Sequence, residues 1–353
     1  MTTADPRRPA TQSDVARAVG VSRTLVSFAF RGAPGVSEET RRAILEAAKR
    51  LGYRPNVAAA DLARKRASAV GLHLLDLRNE VYADIFAGVR EALAPTAHRI
   101  ILGVARSSDG VGGRGGEHGG TGGDEADLGP LIEARVGVVI AATLIDPDER
   151  VRELALDVPI VSVARRVEGV DSVYSDDAAG SRAATEHLLA LGHTRIAHIT
   201  GPYHEGMHAR RRAFDAAMHD AGLPPRVVAA PGHSLAAGEE AARALLAGPE
   251  RPTAVVAHND QLALGVREVA LGLGLRVPED LSLTGYDDSR TAGLAGIGLT
   301  SVDLGAHALG VAAGMAALNR LAYPNAPAVD ECSLPRLVVR GSTAPPGRSS
   351  SDS

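Results

Sequence analysis

The sequence predicts a small all-α head followed by an α/β body of two lobes. Three observations predict it: helix-turn-helix spacing near the N-terminus, short apolar strands alternating with helical segments from Val70 onward, and a division of charge between these parts. Residues 1–66 hold 13 Lys+Arg against 6 Asp+Glu, a net of +7, whereas the remainder holds 25 against 36, a net of −11, so the overall −4 conceals the split. A basic module on an acidic body suits phosphate binding, because each neutralised phosphate releases counterions and adds sequence-independent affinity.

The head reads as three helices. Thr11-Gln12-Ser13-Asp14 has the form of a capping box, and Val15, Ala16, Ala18 and Val19 supply the apolar side of the helix it opens. Gly20 allows a tight turn, and Ser22 caps a second helix from which Leu25, Val26 and Ala29 pack inward. Ser37 with Glu38 and Glu39 opens a third, whose Ile44, Ala47, Ala48 and Leu51 share one face before Gly52 ends it.

In the body, Val70–Leu75, Ile100–Val104, Val136–Ile140 and Ile160–Val163 read as buried strands of a first lobe. Ile196–Thr200, Val227–Val228, Ala254–Ala257 and Leu281–Leu283 read as those of a second. Segments such as Ala178–Leu191, Arg210–Ala221 and Leu262–Leu271 have helical length and apolar spacing, so parallel sheets with right-handed crossovers are expected. Two such lobes leave a cleft at the carboxyl ends of their strands, the default place for a ligand.

A chain of 353 residues accommodates a head and a two-lobed body. The single cysteine, Cys332, permits no internal disulfide and suits a reducing compartment. The polar start Met1 to Pro9 does not read as a signal peptide, and the longest apolar stretch, Val136 to Ile145, is too short to span a bilayer. A cytoplasmic protein with no membrane partner is expected.

Two motif matches carry little weight. Gly110-Val111-Gly112-Gly113-Arg114-Gly115 satisfies G-x-G-x-x-G but lies within Asp109–Gly123, where glycine is so dense that a match follows from composition, and a surface loop is expected. His204-Glu205-Gly206-Met207-His208 satisfies H-E-x-x-H, yet it follows Gly201-Pro202 and contains Gly206, which suits a loop leading into a helix better than a zinc face. No catalytic group, metal or cofactor is expected.

The runs Asp14-Val15-Ala16-Arg17-Ala18-Val19-Gly20-Val21-Ser22, Val26-Ser27, Val36-Ser37-Glu38-Glu39-Thr40-Arg41 and Leu51-Gly52-Tyr53-Arg54-Pro55-Asn56 together resemble the head of the lactose-repressor (LacI) family of bacterial transcription regulators. The body resembles the same family through Glu186 to Ile196, Asn259 to Gly265, Val277-Pro278-Glu279-Asp280, Gly285-Tyr286-Asp287-Asp288 and Val339-Arg340-Gly341-Ser342-Thr343. The resemblance implies a body of two Rossmann-like lobes, periplasmic-binding-protein-like. It divides the chain into a head at 1–55, a hinge helix and linker at 56–68, an effector-binding and dimerisation domain at 69–342, and a disordered tail at 343–353. The first lobe is expected at about 69–165 with a return near 300–325, the second at about 166–295 with 330–342.

By the same resemblance, operator DNA is met by Ser22, Arg23, Thr24, Ser27, Phe28, Arg31 and Tyr53 of the head and by Asn56, Ala59 and Leu62 of the hinge. Leu62 takes the place of a leucine wedged between bases in the minor groove. A small-molecule effector is met by Val81, Tyr82, Arg165, Arg212, His233, Asn259, Tyr286 and Asp287. Such a protein is a homodimer on double-stranded DNA, and repression is the family's commoner mode. The competing class is a sugar receptor with no DNA role. Three departures stand out: Phe28 cannot make a bidentate base contact, Asp61 sets a negative charge before Leu62, and His233 stands where relatives often carry an aromatic ring. With no Trp in the chain, Tyr82, Tyr203 and Tyr286 are the rings left to stack on a sugar.

Overall fold

The computed structural model describes residues 10–31, 33–53, 69–105, 128–201, 208–248 and 250–347, which fall into two compact units, Met1–Arg66 and Ala67–Ser353. In the first, α1 (Gln12–Val19), α2 (Arg23–Arg31) and α3 (Glu38–Leu51) bury Val15, Ala16, Val26, Ala29, Ile44, Ala47 and Ala48 together. The Asp14 carboxylate accepts from the Thr11 amide at 2.9 Å and from its hydroxyl at 2.6 Å. Ser22 Oγ accepts from the Leu25 amide and Ser37 Oγ from that of Thr40, so each cap answers one of the free donors that a helix start leaves. Gly20 and Gly52 close α1 and α3 at φ of 75° and 66°. Leu25 is only half-buried and Leu51 is 39% exposed, at the rim of this small core.

The body carries two six-stranded sheets. The first runs β11-β5-β4-β3-β1-β2, from β1 (Ala69–Leu74), β2 (Arg99–Val104), β3 (Val138–Ala142), β4 (Ile160–Val163), β5 (Asp171–Ser175) and β11 (Asp330–Ser333), every pair parallel. The second runs β12-β10-β9-β8-β6-β7, from β6 (Ile196–Thr200), β7 (Arg226–Ala229), β8 (Ala254–Ala257), β9 (Ser282–Tyr286), β10 (Thr300–Asp303) and β12 (Arg336–Val338), parallel except for β12. The central strands are wholly buried, as strands covered on both faces must be.

Helices α4 (Val81–Leu93), α5 (Gly129–Glu133), α6 (Asp148–Asp157) and α11 (Ala306–Ala322) cover the first sheet, and α7 (Asp177–Ala190), α8 (His208–Asp220), α9 (Leu235–Ala247) and α10 (Asp260–Gly272) cover the second. The chain passes between the lobes three times, after β5, after β10 and after β11.

These passages correct the expected lobe limits. Residues 171–175 and 330–333 belong to the first sheet, not the second, and 300–303 belongs to the second. The polar composition of β5 and β11 hides their sheet role. Ser172 Oγ folds back on the carbonyls of Val167 and Val170, and the Asp171 carboxylate takes the Arg320 guanidinium at 2.8 Å and the Val329 amide at 2.8 Å. The start of the expected tail is also fixed. The Thr343 hydroxyl meets His187 at 2.9 Å, and the Ala344 carbonyl meets His193 Nε2 and Ser282 Oγ, each at 2.9 Å. The glycine-rich stretch 109–123 and the hinge 56–68 lie outside the described residues. Among those described, no helix is long and apolar enough to cross a membrane.

Candidate functional site

On the head, Ser22, Arg23 and Thr24 are exposed at the start of α2, with Ser27 and Phe28 half-buried one turn on. Ser22 is occupied as the cap of that helix. Tyr53 lies edge-to-face on Phe30, centroids 5.6 Å apart, and burial pushes its hydroxyl pKa up, so its first role is to hold the head together. Arg31 ends α2, while Asn56, Ala59 and Leu62 lie outside the described residues.

In the body, a cavity of about 90 Å³ sits where strands of both sheets end. Leu75, Asp76 and Asn79 follow β1, Thr143 and Leu144 follow β3, and Ala164 and Arg165 follow β4; from the other lobe come His233 after β7, His258 and Asn259 after β8, and Asp287 after β9. Val81, Tyr82 and Ile85 of α4, Asp177 and Arg210 at the starts of α7 and α8, and Leu304 and Leu309 complete the lining. Thr143, Ala164 and Asp287 have φ of 64°, 79° and 104°. Non-glycine residues pay for such angles, and here each turns the chain directly after a strand so that its neighbours face the cavity.

Arg210 organises the polar wall. Its guanidinium donates to the His258 carbonyl at 2.7 Å, pairs with Asp177 at 3.1 Å and lies 3.5 Å from the centre of the Tyr286 ring. The Tyr286 hydroxyl in turn donates to Asp177 Oδ1 at 2.8 Å. Asp287 accepts from Asn79 Nδ2 at 2.9 Å, and burial pushes its carboxyl up to about 6 against the pull of Arg210. His258 is held neutral, well below its ordinary pKa, by burial first and then by the Arg210 charge. On the first lobe, Arg165 pairs with Asp148 at 3.1 Å and donates to the Asp146 carbonyl.

Of the expected effector residues, Val81, Tyr82, Arg165, His233, Asn259 and Asp287 line this cavity together. Two do not. Arg212 is exposed on α8, because Ala213, Phe214, Ala217 and Met218 set the buried face and Arg210, four residues before Phe214, shares it while Arg212 points away. Tyr286 is buried behind Arg210 and supports it. Asn259 has a second duty: its Oδ1 caps α10 at the Leu262 amide and its Nδ2 donates to the His233 carbonyl. Sequence reading missed Arg210, Asn79, Asp177 and His258. The spacing of Arg210 to Phe214 was available as a signal for the first.

The family model for "Bacterial regulatory proteins, lacI family" matches residues 11–56, and that for "Periplasmic binding protein-like domain" matches 185–343. Catabolite control protein A of Priestia megaterium is 32% identical over 308 residues, covering 84% of this chain and 89% of that protein. The chain belongs to the LacI family. Among solved LacI-family structures, the lac repressor dimer bound to operator and the anti-inducer ONPF superposes with a TM-score of 0.77 at 25% identity, covering 96% of this chain and all of that one. The regulator CelR in complex with cellobiose gives 0.66 at 28% identity, over 94% of this chain and 99% of that one. Relatives of this chain are named as transcriptional regulators and repressors. Of the H-E-x-x-H match, only His208 falls among the described residues, at the start of α8. Among those residues, no group of three His, Cys, Asp or Glu is placed to hold a metal ion.

Proposed function

We propose that this LacI-family chain is a cytoplasmic, homodimeric repressor that binds operator DNA through residues 10–53 and the hinge, and that a small sugar or related metabolite in the inter-lobe cavity sets its DNA affinity. The observation that carries this reading is the joining of Asn79 and Asp287 across the lobes at 2.9 Å, beside Arg210 and Asp177. Acceptors and a guanidinium converging on one small space suit a polyhydroxylated ligand. A ligand that prefers one closure of the lobes shifts the population of that state, and a coupled dimer turns the shift into a change in operator affinity. The operator and effector bound in the structures of the lac repressor and CelR support both halves of the proposal.

The test is selection of binding sites from random DNA with the full chain, followed by anisotropy titrations at several salt concentrations with and without a panel of sugars. A log–log salt slope of about −0.9 per phosphate contacted is expected, with the affinity altered by at least one panel member. Full operator affinity after deletion of residues 1–66 would exclude the head as the reader.

A further inference from the structure

Two sets of bonds cross from lobe to lobe beside the cavity. One, from Asn79 to Asp287, lies in its lining. The other engages no lining residue. Thr291 donates to Glu80 twice, from its hydroxyl to Oε1 at 2.6 Å and from its amide to Oε2 at 3.1 Å, and Arg290 pairs with Asp84 at 2.6 Å. The bonds from Thr291, its hydroxyl first, hold the Glu80 carboxyl below its ordinary range, so it accepts them as an anion. The Arg290 side chain is largely exposed, and an exposed ion pair guides more than it holds, which leaves Glu80 and Thr291 as the stronger half.

Both jaws are fixed to their own lobes. In the first lobe the Asp84 amide donates to the Glu80 carbonyl at 3.3 Å and the Val81 amide to Asn79 Oδ1 at 3.1 Å, so the start of α4 sets Glu80 and Asp84. In the second the Asp288 amide donates to Ser301 Oγ at 3.1 Å, the Ser289 amide to Asp260 Oδ2 at 2.7 Å and the Ala292 amide to Ser289 Oγ at 3.2 Å. The lever arm is long as well. The chain passes between the lobes after β5, β10 and β11, and β5 and β11 stand at one edge of the first sheet. β1, which leads into Glu80, lies three strands in from β5, about 14 Å away at the usual strand spacing. A rotation of about 10° at that edge moves Glu80 by about 2.5 Å, enough to break a hydrogen bond.

We propose that Glu80 and Asp84 on one side and Thr291 and Arg290 on the other form a clasp that holds the two lobes closed with no ligand in the cavity. Closure is then set by the chain's own residues, and an effector acts through its preference between the clasped and unclasped arrangements. The clasp is a property of the ligand-free chain and stands apart from the effector's identity. Its consequence for DNA rests on the reading of lobe closure as the signal that reaches the operator.

Pulsed electron spin resonance on the full chain, with no ligand added, tests it. Spin labels go on Arg152→Cys of α6 and Arg243→Cys of α9, both exposed, in a Cys332→Ser background diluted with unlabelled chain so that only distances within one protomer are read. Glu80→Ala/Asp84→Ala and Arg290→Ala/Thr291→Val should each shift the distances toward a second arrangement of the lobes, raising its share about tenfold or more. All four substitutions together should do no more than either pair, because both pairs cut the same bonds. Should a pair fold poorly, Thr291→Val alone, which replaces a hydroxyl by a methyl of similar shape, is required to shift the distances in the same sense. An unchanged distance distribution overturns the proposal, as do effects of the two pairs that simply add. Operator anisotropy without effector is the separate arm: a changed distance with unchanged operator affinity leaves the clasp in place and overturns the coupling of lobe closure to DNA.

Discussion

Asn79 Nδ2 donates to Asp287 Oδ2 at 2.9 Å, a bond between residues 208 positions apart that ties the loop after β1 in one lobe to the end of β9 in the other. Asn79 is itself fixed, because its Oδ1 accepts from the Val81 amide at the start of α4. The same seam carries Thr291 Oγ1 on Glu80 at 2.6 Å, Arg290 on Asp84 at 2.6 Å and Gln261 on the Arg78 carbonyl at 2.6 Å. The cavity floor and the seam beside it therefore share the segment 78–84, so a ligand that moves Asp287 acts directly on lobe closure.

Asp287→Ala should remove the effector response while operator binding survives, since Asp287 lines the cavity of the body and the head carries a core of its own. Loss of a charge-assisted hydrogen bond, with its partner left unpaired in a closed site, costs about 1.5–3 kcal/mol, or one to two decades of affinity. Anisotropy on labelled operator with increasing effector gives the answer directly. Unchanged release would show that Asp287 serves local structure alone.

Arg210→Ala and Arg212→Ala separate the two helix faces of α8. The first removes the bonds to Asp177 and the His258 carbonyl and should abolish the effector response with a fall in melting temperature. The second removes an exposed side chain and should change stability by less than about 0.5 kcal/mol, leaving the response intact. Calorimetry on both variants, with melting as the control for folding, distinguishes them.

What the sequence revealed follows from where its signals are local. The strands around Val70, Ile160 and Ile196 are runs of β-branched and aliphatic residues and were plain. β5 was not, since Asp171-Ser172-Val173-Tyr174-Ser175 is polar and earns its burial through Arg320 and the carbonyls before it, partners set by tertiary contact. The same holds for Asn79. Nothing in its neighbourhood announces Asp287, and only the closure of two lobes brings them together. The family resemblance points to Arg212, whereas the buried face that Phe214 defines on α8 carries Arg210.

Gly310→Ala tests the packing of α4 on α11. A methyl group added at Gly310 would strike the Ile85 carbonyl, and one at Gly88 would strike the carbonyl of His307, so the helix backbones touch where these glycines cross. By helix propensity alone the substitution would stabilise by about 1 kcal/mol. Overpacking against a backbone that cannot swing aside costs about 1–3 kcal/mol or more and wins. A lowered denaturation midpoint is expected, and a raised one would mean that the helices separate without cost.

Asp260 supplies the pH dependence. Its carboxyl accepts from the Ser289 amide at 2.7 Å and from the Ser301 hydroxyl at 2.6 Å, yet burial, reinforced by the nearby Asp287 charge, pushes it up to about 7. Because this lies above its ordinary value, the folded chain keeps a proton between about pH 4 and 7 that the unfolded chain releases. The stability owed to Asp260 is therefore full in acid and is lost as pH rises through 7. Asp287, near 6, acts in the same direction. His198, which burial pushes down to about 4, and the neutral His258 act oppositely: below about pH 6.5 the unfolded chain takes up protons that they refuse, so their contribution falls with pH. The two sets offset one another between about pH 5 and 6.5, and the wild-type profile should be shallow there. Asp260→Asn removes one term from that balance. The stability of wild type relative to this variant should rise as pH falls from 8 to 5, by up to about 1.4 kcal/mol per unit within the window. Urea midpoints measured for both proteins across that range provide the check, and a difference independent of pH would show that Asp260 stays ionised when folded.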